Sequence, residues 1–287
     1  MIFAAFACMV RAIIPGPDLR TTSLVQLATL AALSSVSTGT LACADLTMAP
    51  GGEVVQVTDG DTIVLDDGRV IRMIGTQAPK LPLGRDGHET WPQAPEAKAA
   101  LEAMLLHKTV QLGFGGERTD RYDRQLAHVF VDTPDGPLWA QHAMVALGLA
   151  RVYSFPDNRQ CLDLLFAAEG RARLSGLGIW HDPYYSVRAA DSPDQLLDKA
   201  GHYELVEGRI LLAEQRGGRV YLNFGRFWKR DFTAVIEAAA LKLFTADGID
   251  PLRLEGALVR IRGWVDDRDG PRIDITHPEQ LEVLATR

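Results

Sequence analysis

Asp59 and Asp61 flank Gly60 in the stretch VTDGDTIVL, at the mouth of what reads as a strand pair. Alternate carboxylates on a turn offer hard oxygen ligands to a cation such as Ca²⁺. Arg72, on the strand that follows, carries the planar fork that clamps a phosphate bidentately. The stretch ERTDRYDRQLAHVFV adds Arg118, Arg121 and Arg124 before and at the start of a further strand. A cation with two arginines suits phosphoryl transfer: the metal polarises the phosphate, and the arginines stabilise charge on the pentacoordinate transition state. Each piece also has a plain structural reading. Asp-Gly-Asp-Thr makes an ordinary turn, and Asp120 and Asp123 stand beside the arginines as surface ion-pair partners.

The elements that must position these residues are legible from pattern. EVVQVTDGDTIVLDDGRVIRMIG alternates apolar and polar residues and breaks at Asp59-Gly60 and Asp67-Gly68, predicting strands near 53–58, 62–66 and 69–75. After a polar Pro/Gly loop, Ala97, Leu101, Met104 and Leu105 fall on one face of a helix starting around Pro95. Strands are expected near 109–115 and 125–131, then a short helix near 137–148. A longer helix is expected from Arg159 to about Ser175, with Asn158 as its N-cap and Gly176 and Gly178 ending it. Cys161 in that helix reads as a small core residue. Residues 182–200 read as an exit segment and linker.

From about Gly201 a second β-rich unit begins. VEGRILLAEQ, RVYLNFG and DFTAVIE are strands, AAALKLFTADG is helical, and LEGALVRIRGWVDDRDGPRIDIT holds two more strands. Three strands, a helix and two strands is the order of an OB-type barrel. Its RFWKR loop interleaves Phe227 and Trp228 with Arg226, Lys229 and Arg230, a stacking-plus-phosphate pattern for nucleic acid; the same aromatics also suit a core or a hairpin. The seven histidines show no paired metal-ligand spacing, and there is no P-loop, dinucleotide fingerprint or Ser-His-Asp elbow.

VTDGDTIVL, IRMIG with Pro79, RTDRYDRQLAHVFV, ALGLARVY and the closing GLGIW come in order over residues 53–181, and this stretch resembles the staphylococcal nuclease (thermonuclease) family. The resemblance implies a mainly β fold with helices (α+β): an OB-type five-stranded barrel with three helices, here followed by the second small OB-like barrel. It implies Ca²⁺-dependent cleavage of DNA or RNA. Carried over by motif, Asp61 would be a metal ligand and Asp59 an acid acting through water, with Arg72 and Arg124 as the phosphate-binding arginines. Where the family has Asp-Ala/Thr-Pro-Glu, this chain reads Gln77-Ala78-Pro79-Lys80. Gln77 would stand for the second metal ligand, Ala78 would offer its backbone carbonyl, and Lys80 takes the place of the Glu base. Calcium affinity depends on ligand charge. At about 5 Å and an effective dielectric near 20, a lysine opposes the metal by roughly 3 kcal/mol. Lys80 could instead hold a phosphate oxygen as a point charge, with His88 or Glu89 supplying a base.

The chain has 287 residues, 47% hydrophobic and 23% charged, with a formal net charge of -7. This suits a globular protein of one large or two small domains and gives no long-range steering toward nucleic acid. Residues 45–198 carry fourteen Lys/Arg against twenty-two Asp/Glu, and residues 199–287 carry fourteen of each. Residues 1–44 read as a signal peptide, with Arg11 and Arg20 before the uncharged run SLVQLATLAALSSVSTGTLA and a small-x-small cleavage signal at Ala42-Cys43-Ala44. Thr40-Leu41 fits a lipobox poorly, so cleavage is expected rather than acylation of Cys43. Cleavage after Ala44 would leave Cys161 alone, with no disulfide and no membrane span in the mature chain. The expectation is an exported, periplasmic or extracellular protein with a nuclease-like domain at 45–188 and an OB-like domain at 199–287. It would be a weak or altered nuclease or, alternatively, a catalytically silent scaffold for nucleic acid or protein.

Overall fold

The computed structural model describes residues 43, 45–84, 87 and 89–286. Apart from Cys43, the expected signal peptide lies outside the described residues, as does His88. The first half of the chain runs β1 (Thr47–Asp59), β2 (Thr62–Leu65), β3 (Val70–Met73), β4 (Gly75–Gln77), α1 (Ala94–Leu105), β5 (Thr109–Phe114), β6 (Gln125–Thr133), β7 (Gly136–Trp139), α2 (Ala140–Ala146), β8 (Arg151–Tyr153) and α3 (Leu162–Leu174). The second half runs β9 (Arg188–Ala189), α4 (Pro193–Leu197), β10 (Tyr203–Arg209), β11 (Leu212–Arg216), β12 (Arg219–Asn223), β13 (Thr233–Ile236), α5 (Leu241–Ala246), β14 (Leu258–Asp266), β15 (Arg272–Ile275) and β16 (Leu281–Ala285).

β1 is long because it serves two partners. Its N-terminal half pairs antiparallel with β5 and its C-terminal half with β2, and the register shifts at Pro50/Gly52. Gly51 sits at the bend, where an added Cβ would lie 2.5 Å from the Val110 carbonyl oxygen. β3 then pairs parallel with β6, Ile71 opposite Gln125 and Arg72 opposite Leu126. That pairing closes a five-stranded barrel, β1-β2-β3-β6-β5, which removes the open strand edges. Val54, Val57, Ile63, Leu65, Ile71, Met73, Leu112 and Val129 fill it, and the Ala97, Leu101, Leu105 face of α1 packs onto the same core.

The second half repeats the design. β10 and β11 are consecutive segments, and the path β11-β12-β13-β15-β14-β10 returns to them. β13 and β15 are its parallel pair, matching β3 and β6. Its own core is built on Phe232, Phe244, Val259, Ile261 and Ile273. Both OB-type barrels read from the sequence are therefore present.

Several expectations are corrected. The helix expected near 137–148 opens as strand β7, because residues 136–139 extend the hairpin from β6. The third long helix begins at Leu162, not Arg159. Its N-cap is Cys161, in left-handed backbone at φ 63, while the Asn158 amide donates to the Glu117 carbonyl. Cys161 is no plain core residue: it is disulfide-bonded to Cys43, with Cα atoms 5.5 Å apart. Cleavage after Ala44 would cut this bridge away. Residues 182–200 are not a loose tether either. Tyr185, Ala190 and Leu196 are buried and β9 pairs with β10, since aromatic and aliphatic side chains dispersed among Pro and Asp still find a surface to cover.

The two barrels share buried polar contacts. Arg262 of β14, 0% exposed, meets the buried Glu169 of α3 through both terminal nitrogens, at 3.2 and 2.8 Å, and also pairs with Glu282. The Ser154 hydroxyl lies 2.7 Å from Nε2 of His277. All described residues belong to one compact unit. Among them, no helix is long and apolar enough to cross a membrane.

Candidate functional site

The turn between β1 and β2 is held very tightly. A Cβ at Gly60 would come within 2.6 Å of the Ala78 Cβ and 2.9 Å of the Ala97 Cβ, so only glycine lets the turn pack beneath α1. This places Asp61 at full burial and Asp59 nearly so. Lys80 reaches them both. Its Nζ donates to Oδ1 and Oδ2 of Asp61 at 2.7 and 2.6 Å, and to Asp59 Oδ2 at 3.3 Å. The Lys80 backbone is fixed in turn, its carbonyl accepting from Trp91 N at 2.9 Å.

Asp61 is surrounded by donors. Besides Lys80, Oδ1 accepts from Thr62 Oγ1 at 3.1 Å, and Oδ2 accepts from the Ala78 backbone N–H at 2.9 Å. Arg72 Nη2 lies 3.3 Å from Oδ2. A carboxylate has about four acceptor positions, and these contacts fill them. Burial, the strongest influence on Asp61, pushes its pKa up. The Arg72 and Lys80 charges, with the hydrogen bonds that Lys80 donates, outweigh it and hold Asp61 well below the usual carboxylate range. Asp59 goes the other way: burial first, then the charge of Asp61, raise it despite Lys80 and Arg72.

Arg72 lies on the strand expected and reaches the cluster, but its donors are turned inward. Nη1 donates to the Met73 carbonyl at 2.6 Å and Nη2 to the Thr76 carbonyl at 2.7 Å. Gln77 is also engaged. It faces Arg151 in the β4–β8 register, and Arg151 Nε donates to its Oε1 at 2.9 Å. Arg151 is itself buried among aromatic rings, its guanidinium carbon 4.9 Å from the centre of Tyr203, 5.8 Å from Tyr185 and 5.9 Å from Trp91. Tyr203 comes from the second barrel, so Arg151 ties that barrel to the Gln77 turn. Sequence reading missed this arginine. The only trace was its place in ALGLARVY, where nothing marks it as Gln77's partner.

Arg124 does not join the cluster. Its Nε and Nη2 hold Asp120 Oδ2 at 2.8 and 2.6 Å, the local pairing that the ERTDRYDR spacing also allowed. Arg118 lies over Phe114, and Arg121 donates to the Tyr122 hydroxyl. Arg72 and Leu126 pair across β3–β6, and Arg124 stands two residues before Leu126, so both arginines belong to the same outer face. Ala78 enters the cluster by its N–H, where the family register calls for its carbonyl. Glu89 is exposed. In the second barrel, Arg226, Phe227, Trp228, Lys229 and Arg230 are all exposed.

These residues do not fit Ca²⁺. A hard dication needs six to eight oxygens with open lone pairs. Here those of Asp61 are taken by an ammonium, an N–H, a hydroxyl and a guanidinium, and Gln77 Oε1 is taken by Arg151. Two carboxylates face Lys80 and Arg72, so the cluster is already neutral, with Arg151 beyond Gln77. Among the described residues, the one convergence of three metal-ligand side chains is Cys43, His128 and Cys161, within 4.8 Å. That is a soft set unsuited to Ca²⁺, and its sulfurs are joined in the disulfide.

Residues 70–182 match the family described as staphylococcal nuclease homologue. Arg72, Gln77, Ala78, Lys80 and Arg124 lie within the match, and Asp59 and Asp61 just before it. The chain is 32% identical over 133 residues to a thermonuclease of Staphylococcus intermedius, covering 44% of this chain and 74% of that protein. It is 31% identical over 143 residues to an uncharacterized endonuclease of Escherichia coli O157:H7, covering 49% and 80%. It is 32% identical over 141 residues to protein ParB of Escherichia coli, covering 46% and 73%.

Proposed function

This chain belongs to the staphylococcal nuclease homologue family, and from that premise we propose that it is an exported nuclease-fold scaffold that holds nucleic acid without hydrolysing it through Ca²⁺. The observation that carries the reading is Lys80, whose ammonium sits on both oxygens of Asp61, where the family register expects a metal. In place of a cation awaiting a phosphate stands an internal ion cluster with no net charge. Arg72, which would stabilise a phosphorane, is spent on backbone carbonyls and on Asp61. Lys80 is unsuited to replace the lost base, because its Nζ is committed as a donor to Asp59 and Asp61.

Export is supported by the Cys43–Cys161 pairing, since disulfides persist in oxidising compartments, and by the composition of the residues before Cys43, with any cleavage falling ahead of that cysteine rather than after Ala44. Nucleic acid as the ligand class is supported by the family and by the names of the relatives.

The test is cleavage of single-stranded DNA and RNA by the native protein and by a Lys80→Glu, Gln77→Asp double variant, with and without Ca²⁺. The native protein is expected to show no Ca²⁺-dependent cleavage. The double variant is expected to gain some, limited by the claim of Arg151 on the carboxylate introduced at 77. Ca²⁺-dependent cleavage by the native protein, abolished by Arg72→Ala, overturns the proposal.

A further inference from the structure

The connection between β12 and β13 is short and internally hydrogen-bonded. Phe227 and Trp228 are 69% and 55% exposed, a large apolar area to leave in water on adjacent residues. They are not held out by a floppy segment. The Phe227 carbonyl accepts from both Arg230 N (2.7 Å) and Asp231 N (2.8 Å), and Phe227 N donates to Asp231 Oδ2 at 2.8 Å. Gly225 admits that carboxylate, which a Cβ there would meet at 2.0 Å. Phe224 and Phe232 pack at the base, with ring centres 5.0 Å apart. The turn is thus preorganised, which lowers the entropic cost of binding.

Three cations, Arg226, Lys229 and Arg230, flank the two rings in sequence. Lys229 Nζ lies 5.1 Å from the centre of the Trp228 ring. Among the described residues, neither Arg226, Lys229 nor Arg230 forms an ion pair. This sets them apart from Arg72, Arg124, Arg260, Arg262 and Arg272, each of which has its carboxylate. Beside the loop, Phe227, Arg230 and Asp231 form one wall of a cleft of about 420 Å³, and Asp191, Ser192 and the first residues of α4 form the other. A volume of that order takes one small planar ligand. Asp191 and Asp194 on its far wall are acceptors only and can take donors from a group that enters, while Arg230 on the near wall can donate to it.

We propose that this loop and cleft form a binding site for single-stranded nucleic acid. Bases stack on Trp228 and Phe227, the phosphates run along Arg226, Lys229 and Arg230, and one base turns its amino edge toward Asp191 and Asp194. Exposed rings suit unpaired bases, because a duplex hides their faces. The carboxylates of the cleft wall repel a plain polyanion that brings no donor. The location also resolves the charge problem. The first barrel, with eight more acids than bases, repels phosphate, while the second is neutral overall and carries Arg226, Lys229 and Arg230 here outside any ion pair among the described residues. The site rests on the nucleic-acid part of the proposed function and is independent of whether the first barrel cleaves.

The experiment is fluorescence anisotropy of labelled twelve-nucleotide DNA and RNA with the full chain. EDTA is present, so that cleavage plays no part and failure here is distinct from failure of the cleavage test. Single strands are expected to bind more tightly than the matching duplex. Trp228→Ala and Phe227→Ala should each weaken binding about 5-fold or more. Arg226→Gln should reduce the slope of log affinity against log salt by about 0.7. Unchanged affinity in Trp228→Ala, equal affinity for the duplex, or no binding at low salt overturns the site. So does insertion of Trp228 into phosphatidylglycerol vesicles, read as a blue shift of its emission, without any response to oligonucleotide. The substituted side chains are exposed, and circular dichroism checks that each variant is folded.

Discussion

Lys80→Met removes the ammonium from the cluster and keeps the apolar stem. Nζ lies 2.6 Å from Asp61 Oδ2 and 3.3 Å from Asp59 Oδ2. At an effective dielectric near 20, these separations correspond to about 6 and about 5 kcal/mol of gross attraction. Most of that offsets the desolvation of the three charges. The variant reveals what is left: two buried carboxylates with only Arg72 against them. Removing one partner of a buried pair costs about 3–5 kcal/mol. The Lys80 side chain is 24% exposed, which puts the expected loss near the low end, about 3 kcal/mol at pH 7. The pH dependence follows from the directions of the two shifts. Asp59 already titrates above the usual carboxylate range, and losing Lys80 raises it further. An acid whose folded pKa exceeds its unfolded one lowers stability above that pKa and gives it back on protonation. The deficit of the variant should therefore shrink as pH falls from 7 to 5. In the native protein, Asp61 is depressed, so its contribution is present above the unfolded carboxylate pKa and is lost only as pH falls toward the lower folded value. Urea unfolding of both proteins at pH 7, 6 and 5, followed by circular dichroism, reads all of this. A deficit below about 1 kcal/mol at every pH, or one that does not narrow on acidification, refutes the reasoning.

Arg262→Met leaves the buried carboxylate of Glu169 with only Arg173, at 3.3 Å, and the Val152 N–H as partners between the barrels. It should cost about 3–5 kcal/mol by urea unfolding, part of which a second change, Glu169→Gln, restores while keeping an acceptor for Val152 N. Cys161→Ser opens a bridge spanning 118 residues and should lower stability by about 2–5 kcal/mol; in native protein, dithiothreitol should lower the melting temperature similarly. His277 is held near pKa 4, by burial and then by the charge of Arg159. Its stabilisation is present above about pH 6.5 and is lost as pH falls toward 4. The unfolding midpoint should drop between pH 7 and pH 5, and less steeply in His277→Gln.

The barrels were legible because alternation and Asp-Gly turns are local signals. Val54, Ile63, Ile71 and Leu112 announce their face by spacing alone, and so do Ala97, Leu101 and Leu105 of α1. The start of α3 was not legible, because a disulfide to residue 43 and left-handed backbone at Cys161 override the usual capping preference of Asn158. Asp59, Asp61, Arg72 and Lys80 were picked out by motif, and the structure brings those four together. What they do to one another was hidden, because saturation of Asp61 depends on where a flexible lysine ends up. Arg124 was read by motif toward phosphate, and the structure pairs it with Asp120. The pairing of Gln77 with Arg151 crosses 74 residues, and no local pattern encodes it. The RFWKR stretch declared its composition, but only the fold shows that both rings stay in water.

Calorimetric titration of Ca²⁺ into the native protein and into Lys80→Ala tests most directly whether an internal ammonium has closed the metal position. The account predicts no binding heat from the native protein up to millimolar Ca²⁺, and measurable binding once Lys80 is gone and only Arg72 stands against the two carboxylates. Micromolar binding by the native protein, unaffected by Lys80→Ala, would contradict it.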